Sequence, residues 1–188
     1  MCQSLEKTLQ DLKTSLSFRH VGRKYNLYGK NTSEASESDM LIDTAADILT
    51  AIVKMIFSPE CVRLHMIQYP SPILVNNFVT KIFHYFQDEM IAKHGENMEP
   101  KLKEVANYLG EGKKFLLGDS ITIADFPMYV CLDWHATLDE GCLAKFPVLD
   151  KYLKNIRADP KIKAYLESDK HFKARCPPFA PGAKYLNK

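Results

Sequence analysis

Thr122 and, three residues later, Asp125 constrain this chain more than any other feature. They lie in Phe115-Leu-Leu-Gly-Asp-Ser-Ile-Thr-Ile-Ala-Asp-Phe126. A hydroxyl residue followed at that distance by an acid is a capping box, the mark of a helix start. Ile121 before the cap and Phe126 at the fourth helical position can close a hydrophobic staple across it. The run from Phe126 to Trp134 is nearly continuous in apolar residues, which predicts a helix over 122–136 buried on most sides. A buried helix end must satisfy its free N–H groups internally. That requirement accounts for the Thr and the Asp without any appeal to catalysis, and loss of either is expected to cost about 1–2 kcal/mol.

The remaining pattern is helical too. Leu5, Leu9, Leu12 and Leu16 stand at steps of four, three and four, which predicts a striped helix over residues 4–18. Gly22 and the stretch Asn26 to Asn31 read as its end and a linker. Thr32 or Ser33 is the expected cap of the next helix, with Glu34 and Glu37 in its first turn. That helix runs through Met40, Ile48, Ile52, Met55 and Ile56 to Ser58-Pro59, where proline stops it. Tyr69-Pro-Ser-Pro72 breaks any helix around residues 60–75. Ile73 to Ala92 is expected to be an aromatic-rich helix (Phe78, Phe83, Tyr85, Phe86) ended by Gly95. A short amphipathic helix follows over Glu99 to Tyr108, with Gly110 and Gly112 in a turn. Pro147 to Arg157 and Pro160 to Leu166 are two more helices, each opened by proline. The end, Cys176-Pro-Pro-Phe-Ala-Pro-Gly, is extended. Strand and hairpin signals are nearly absent, so the fold class is all-α.

Composition narrows the function classes. In 188 residues, 25 basic and 23 acidic side chains leave a net charge of +2. That is too little to argue for nucleic acid or an anionic membrane. No apolar run is long enough to span a bilayer. The five cysteines (Cys2, Cys61, Cys131, Cys142, Cys176) are widely spaced, with no metal or redox spacing. They fit free thiols in a reducing cytoplasm. The six histidines are scattered and read as structural or exposed, so no metal site is expected. There is no phosphate loop, dinucleotide fingerprint, nucleophile elbow or zinc helix. Asp43 and Asp47, four apart, fit a solvated or salt-bridged helix face better than an acid/base dyad.

The capped segment with its Phe-Leu-Leu-Gly-Asp lead-in resembles the folding motif in the all-helical C-terminal domain of cytosolic glutathione transferases of the pi and mu classes. Gly141-Cys-Leu-Ala-Lys-Phe-Pro-Val-Leu149 and Asp159-Pro-Lys-Ile-Lys-Ala-Tyr-Leu166 are similar to the last helices of that domain. Arg19-His-Val-Gly-Arg-Lys-Tyr-Asn-Leu-Tyr-Gly-Lys30 resembles the end of the preceding thioredoxin-like domain and its linker. The stretch from Ser38 to Asp47 and on to Phe57 resembles the first long helix. These segments, in the right order over roughly 19–57 and 99–172, imply a glutathione-transferase C-terminal-like helical bundle. The resemblance implies three parts: a divergent leucine-striped helix at 1–18, a remnant of the thioredoxin-like end and linker at 19–31, and the helical domain at 32–188. An extra segment around 60–95 departs from the pi and mu pattern.

What the family does, conjugation of glutathione to electrophiles, requires a tyrosine and a Gln-Ser pair in the N-terminal domain. Lys13-Thr14 stands where that pair would fall, and eighteen residues are too few for a thioredoxin-like fold. No catalytic residue can be carried over, and little or no transferase activity is expected of this chain alone. By resemblance, Asp47 matches an acid that reaches glutathione across a dimer. Phe57 matches a wall of the hydrophobic substrate site. Arg19, Arg23, Asp39 and Asp43 match interface charges. Each has a plainer role open to it: an exposed helix charge, or for Phe57 core packing. No cofactor is expected; glutathione would be a co-substrate if the chain is active. The expected partner is a second copy or another helical protein. The alternatives are a non-catalytic binding or assembly module, a ligandin-like binder of hydrophobic compounds, or a partial product of a longer transcript.

Overall fold

The computed structural model describes residues 15–56, 77–138, 141 and 143–168. Among them are six helices and no strand. We number them α1 (described over 15–24), α2 (Thr32–Ile56), α3 (Asn77–Leu109), α4 (Asp125–Leu138), α5 (Pro147–Ala158) and α6 (Pro160–Leu166). The all-α expectation stands. Of the leucine stripe, only Leu16 lies within the described residues, and it is 57% exposed. The Pro-containing segment at 60–75, Phe57 and the C-terminal tail lie outside them.

α1 continues past Gly22, which the sequence suggested as its end. The physical reason is packing. A Cβ built on Gly22 would sit 2.8 Å from both Ile123 Cγ2 and Tyr28 Cδ2, so only a bare backbone lets α1 approach this closely. The turn that follows contains Asn26 at φ +54° and Gly29 at +110°. α2 then begins, but its cap is Asn31, neither Thr32 nor Ser33: the Asn31 Oδ1 accepts from the Glu34 N–H at 2.9 Å. Asn is as good a cap as Ser, and here it precedes two equally plausible candidates. α2 turns Leu41, Ile42, Ala45, Ile48 and Ile52 inward, while Met40 is exposed.

α3 corrects a second expectation. Gly95 does not end a helix, and 99–108 is not a separate one; a single helix of 33 residues carries both Gly95 and Pro100 inside it. Pro100 leaves the Glu96 carbonyl without its helical donor, ordinarily worth about 3 kcal/mol. Glu96, Asn97 and Pro100 are all exposed, so water can serve that carbonyl. The opposite face buries Met98, Leu102, Val105 and Leu109, and that burial holds the helix through the break. Gly110, at φ +58°, then ends it in a left-handed turn.

α4 is the central element, in contact with α2 and α5. It buries Met128, Cys131, Leu132 and His135 but leaves Val130 exposed and Trp134 half-buried. It is therefore solvent-facing on one side, less enclosed than its apolar sequence suggests. α5 presents Leu149, Tyr152, Leu153 and Ile156 to the core. Asp159 stops α5 and caps α6, accepting from the Lys161 and Ile162 N–H groups. Both proline-led helices fall where the sequence puts them.

Candidate functional site

Two polar corners and one histidine pair hold the chemistry-bearing residues. The first corner is the capping box. The Asp125 Oδ2 accepts from the Thr122 N–H at 2.7 Å and from the Thr122 hydroxyl at 2.9 Å. Its Oδ1 accepts from the Leu116 N–H at 3.0 Å and the Tyr152 hydroxyl at 2.9 Å. One carboxylate thus ties the incoming loop, the cap and α5 together. The Ile123 N–H donates to the Leu27 carbonyl at 2.8 Å, adding the α1–α2 turn to the same corner. Ile121 and Phe126, the expected staple pair, are half-buried and both pack against the core. Asp125 is 1% exposed. Burial pushes its carboxyl above the usual value, against the pull of the four donors, and raises the Tyr152 hydroxyl well above its own. Every oxygen here is engaged in holding the fold.

The second corner joins α1 to α2 and gathers most of the residues singled out from sequence. Arg19 Nε donates to Asp39 Oδ1 at 2.7 Å, and Arg19 Nη2 to both Asp43 oxygens at 2.7 Å. The Tyr28 hydroxyl donates to the same Asp39 oxygen, and Ser15 Oγ reaches Asp43 at 3.4 Å. The Arg23 guanidinium lies 5.0 Å from the centre of the Tyr28 ring. Burial works against the Arg19 charge, but the bonds to Asp43 and Asp39 outweigh it and its pKa rises. Burial and the bond to Asp39 also raise the Tyr28 hydroxyl. Arg19, Asp39 and Asp43 thus meet within one chain. Asp47, one turn further along α2, is exposed to solvent. A charge ladder of this kind can orient a partner, and Asp47 is free in geometry to meet a cationic group.

Sequence reasoning missed three pairings. Tyr108 donates to Glu37 Oε2 at 2.6 Å, linking α3 to α2, and burial raises its pKa. Arg157 pairs with Asp133 between α5 and α4. His94 of α3 and His135 of α4 bring their Nε2 atoms to 3.3 Å, with rings stacked at 5.3 Å between centroids. Forty-one residues separate these histidines, so no local spacing could have announced the pair.

Neither corner is a nucleophile site. Cys131 is buried, donates to the Ala45 carbonyl at 3.0 Å, and burial pushes its thiol up to about 12. It therefore stays protonated at neutral pH. Among the described residues no group of three or more His, Cys, Asp and Glu side chains is placed to hold a metal ion. No described helix is long and apolar enough to cross a membrane.

Comparison with known proteins gives a consistent answer. The family model for the glutathione S-transferase C-terminal domain matches residues 74–169. Glutathione S-transferase P of Macaca mulatta is 31% identical over 169 residues, covering 90% of this chain and 68% of that protein. Glutathione S-transferase P 1 of Bufo bufo is 30% identical over 161 residues, covering 86% of this chain and 65% of that protein. The pi-class glutathione S-transferase structure from Onchocerca volvulus matches with a TM-score of 0.61 and 28% identity, over 81% of this chain and 62% of that one. The chain thus spans just under two thirds of the length of curated relatives such as the Bufo bufo protein.

Proposed function

The chain belongs to the glutathione S-transferase family, and from that premise we propose that its 188 residues act as the helical scaffold of a glutathione-conjugating protein without turning over substrate by themselves. One observation carries this reading. Of the polar residues that match family positions, Thr122, Asp125, Arg19, Asp39 and Asp43 are all engaged in hydrogen bonds within the chain. Activating the glutathione thiol needs a donor that lowers its pKa and a pocket that holds the tripeptide. Toward the second need, the residues matched by resemblance offer the exposed carboxylate of Asp47. In an assembled dimer, Asp47 would meet the glutathione amino group of a neighbouring copy, and Phe57 would line the electrophile site. A cytoplasmic homodimer belongs to the same reading.

The test is turnover. The purified chain, given glutathione and a chlorodinitrobenzene-type electrophile, should run at the uncatalysed rate. Saturable conjugation inhibited by a glutathione analogue would overturn the proposal.

A second reading, a non-catalytic assembly module, draws on the exposed apolar side chains of the α1 region and α2: Leu16, Val21, Tyr25 and Met40. Sedimentation showing a monomer at all concentrations would remove it.

A further inference from the structure

We propose that His94 and His135 form a two-point site for a borderline transition-metal dication, Zn2+ foremost, that clips α3 to α4. The argument begins with protons. A carbonyl only accepts, so the 2.8 Å contact between His135 Nδ1 and the Cys131 carbonyl places the proton of the neutral His135 ring on Nδ1. Its Nε2 therefore carries a lone pair, aimed at His94. Holding a metal-binding imidazole by a backbone acceptor on its far nitrogen is how proteins fix such ligands in tautomer and direction.

The spacing then matters. The two Nε2 atoms stand 3.3 Å apart, at the long edge for a hydrogen bond between nitrogens. Two zinc–imidazole bonds of about 2.0–2.1 Å at the tetrahedral angle span about 3.3–3.4 Å. A dication at that span needs each ring to turn its lone pair off the partner nitrogen and onto the metal, with little change in the spacing of the two nitrogens. The rings are closer at their Nε2 atoms than at their centroids, which lie 5.3 Å apart, so the nitrogens converge.

The electrostatics agree. Burial, then the neighbouring His135, brings the His94 pKa down to about 4, and burial lowers that of His135. Burial favours the neutral imidazole in both rings, the form a metal requires. On binding, His94 gives up its Nε2 proton and takes one at Nδ1, so the ring stays neutral and no net proton is released. His135 is buried and His94 half-buried. The inner side of the site is therefore dry, and the outer side is open for water to complete the coordination. Imidazole donors favour Zn2+, Cu2+ or Ni2+ over the oxygen-seeking Mg2+.

The experiment uses the purified full chain. Its melting temperature is followed during titration with Zn2+, with Mg2+ as control, for wild type, His94→Gln and His135→Gln. Glutamine keeps a polar group at each place but removes the ring nitrogen. A ligand bound only by the folded state raises the melting temperature with concentration. The expected result is a Zn2+-dependent rise in wild type that Mg2+ does not produce and that either variant loses. Co2+ should give the visible absorption of a tetrahedral nitrogen site in wild type and not in His94→Gln. Should His135→Gln fail to fold, the half-buried His94→Gln still decides. No rise in wild type, or an equal rise in His94→Gln, would overturn the site.

Discussion

The corner at Asp125 and the corner at Arg19 use the same chemistry to opposite effect. In each, aspartate oxygens collect several donors and tie separate segments together. Asp125 is buried and ties loop, cap and α5 at the centre of the core; Asp43 is exposed and ties α1 to α2 at the surface. Inside, an orphaned donor keeps its full desolvation cost, whereas at the surface water replaces the lost partner. The buried corner therefore decides whether the domain folds. The exposed one fastens an element that the core also holds through Gly22, Leu27 and Ile123.

The largest expected effect is at the buried corner. Asp125→Ala removes the acceptor from two N–H groups and two hydroxyls and should destabilise by about 3–5 kcal/mol in urea unfolding. A loss under about 1 kcal/mol would equate the two corners and break the contrast. Next comes the contact between them. Gly22→Ala pushes a methyl into Ile123 and Tyr28 and should cost about 1–3 kcal/mol by thermal or urea melts. No loss would mean that α1 is not seated on the capping box. The smallest effect is at the surface: Arg19→Ala should cost about 1 kcal/mol or less, and that cost should shrink as salt rises.

Titration sharpens the same comparison. Burial raises the Asp125 carboxyl in the folded state above its ordinary value. The stability it contributes is therefore full below the unfolded pKa and declines as pH rises through the folded one. Wild type, measured against Asp125→Asn, should lose part of its advantage between acid and neutral pH. An advantage that grows with pH would contradict the burial argument.

These two corners also mark what could be read from the sequence. The capping box was legible because its residues are neighbours, Thr122 and Asp125 being three apart. The box marked the start of α4 to within a turn, the helix opening at Asp125 and not at the expected 122, and with its flanking segments it gave the family. The Leu116 and Tyr152 bonds to Asp125 were not legible, because they span 9 and 27 residues. Likewise Arg19 was singled out only by resemblance, and its pairing with Asp39 and Asp43 emerged only when α1 folded against α2. Gly95 misled because local propensity stops a helix there, while the burial of Met98, Leu102 and Val105 continues it.

The central claim is the proposal that these residues supply the helical scaffold and no glutathione site sufficient by itself. Calorimetric titration of the purified chain with glutathione tests it most directly. The account predicts no saturable heat. Saturable binding that weakens in Asp47→Ala would contradict it.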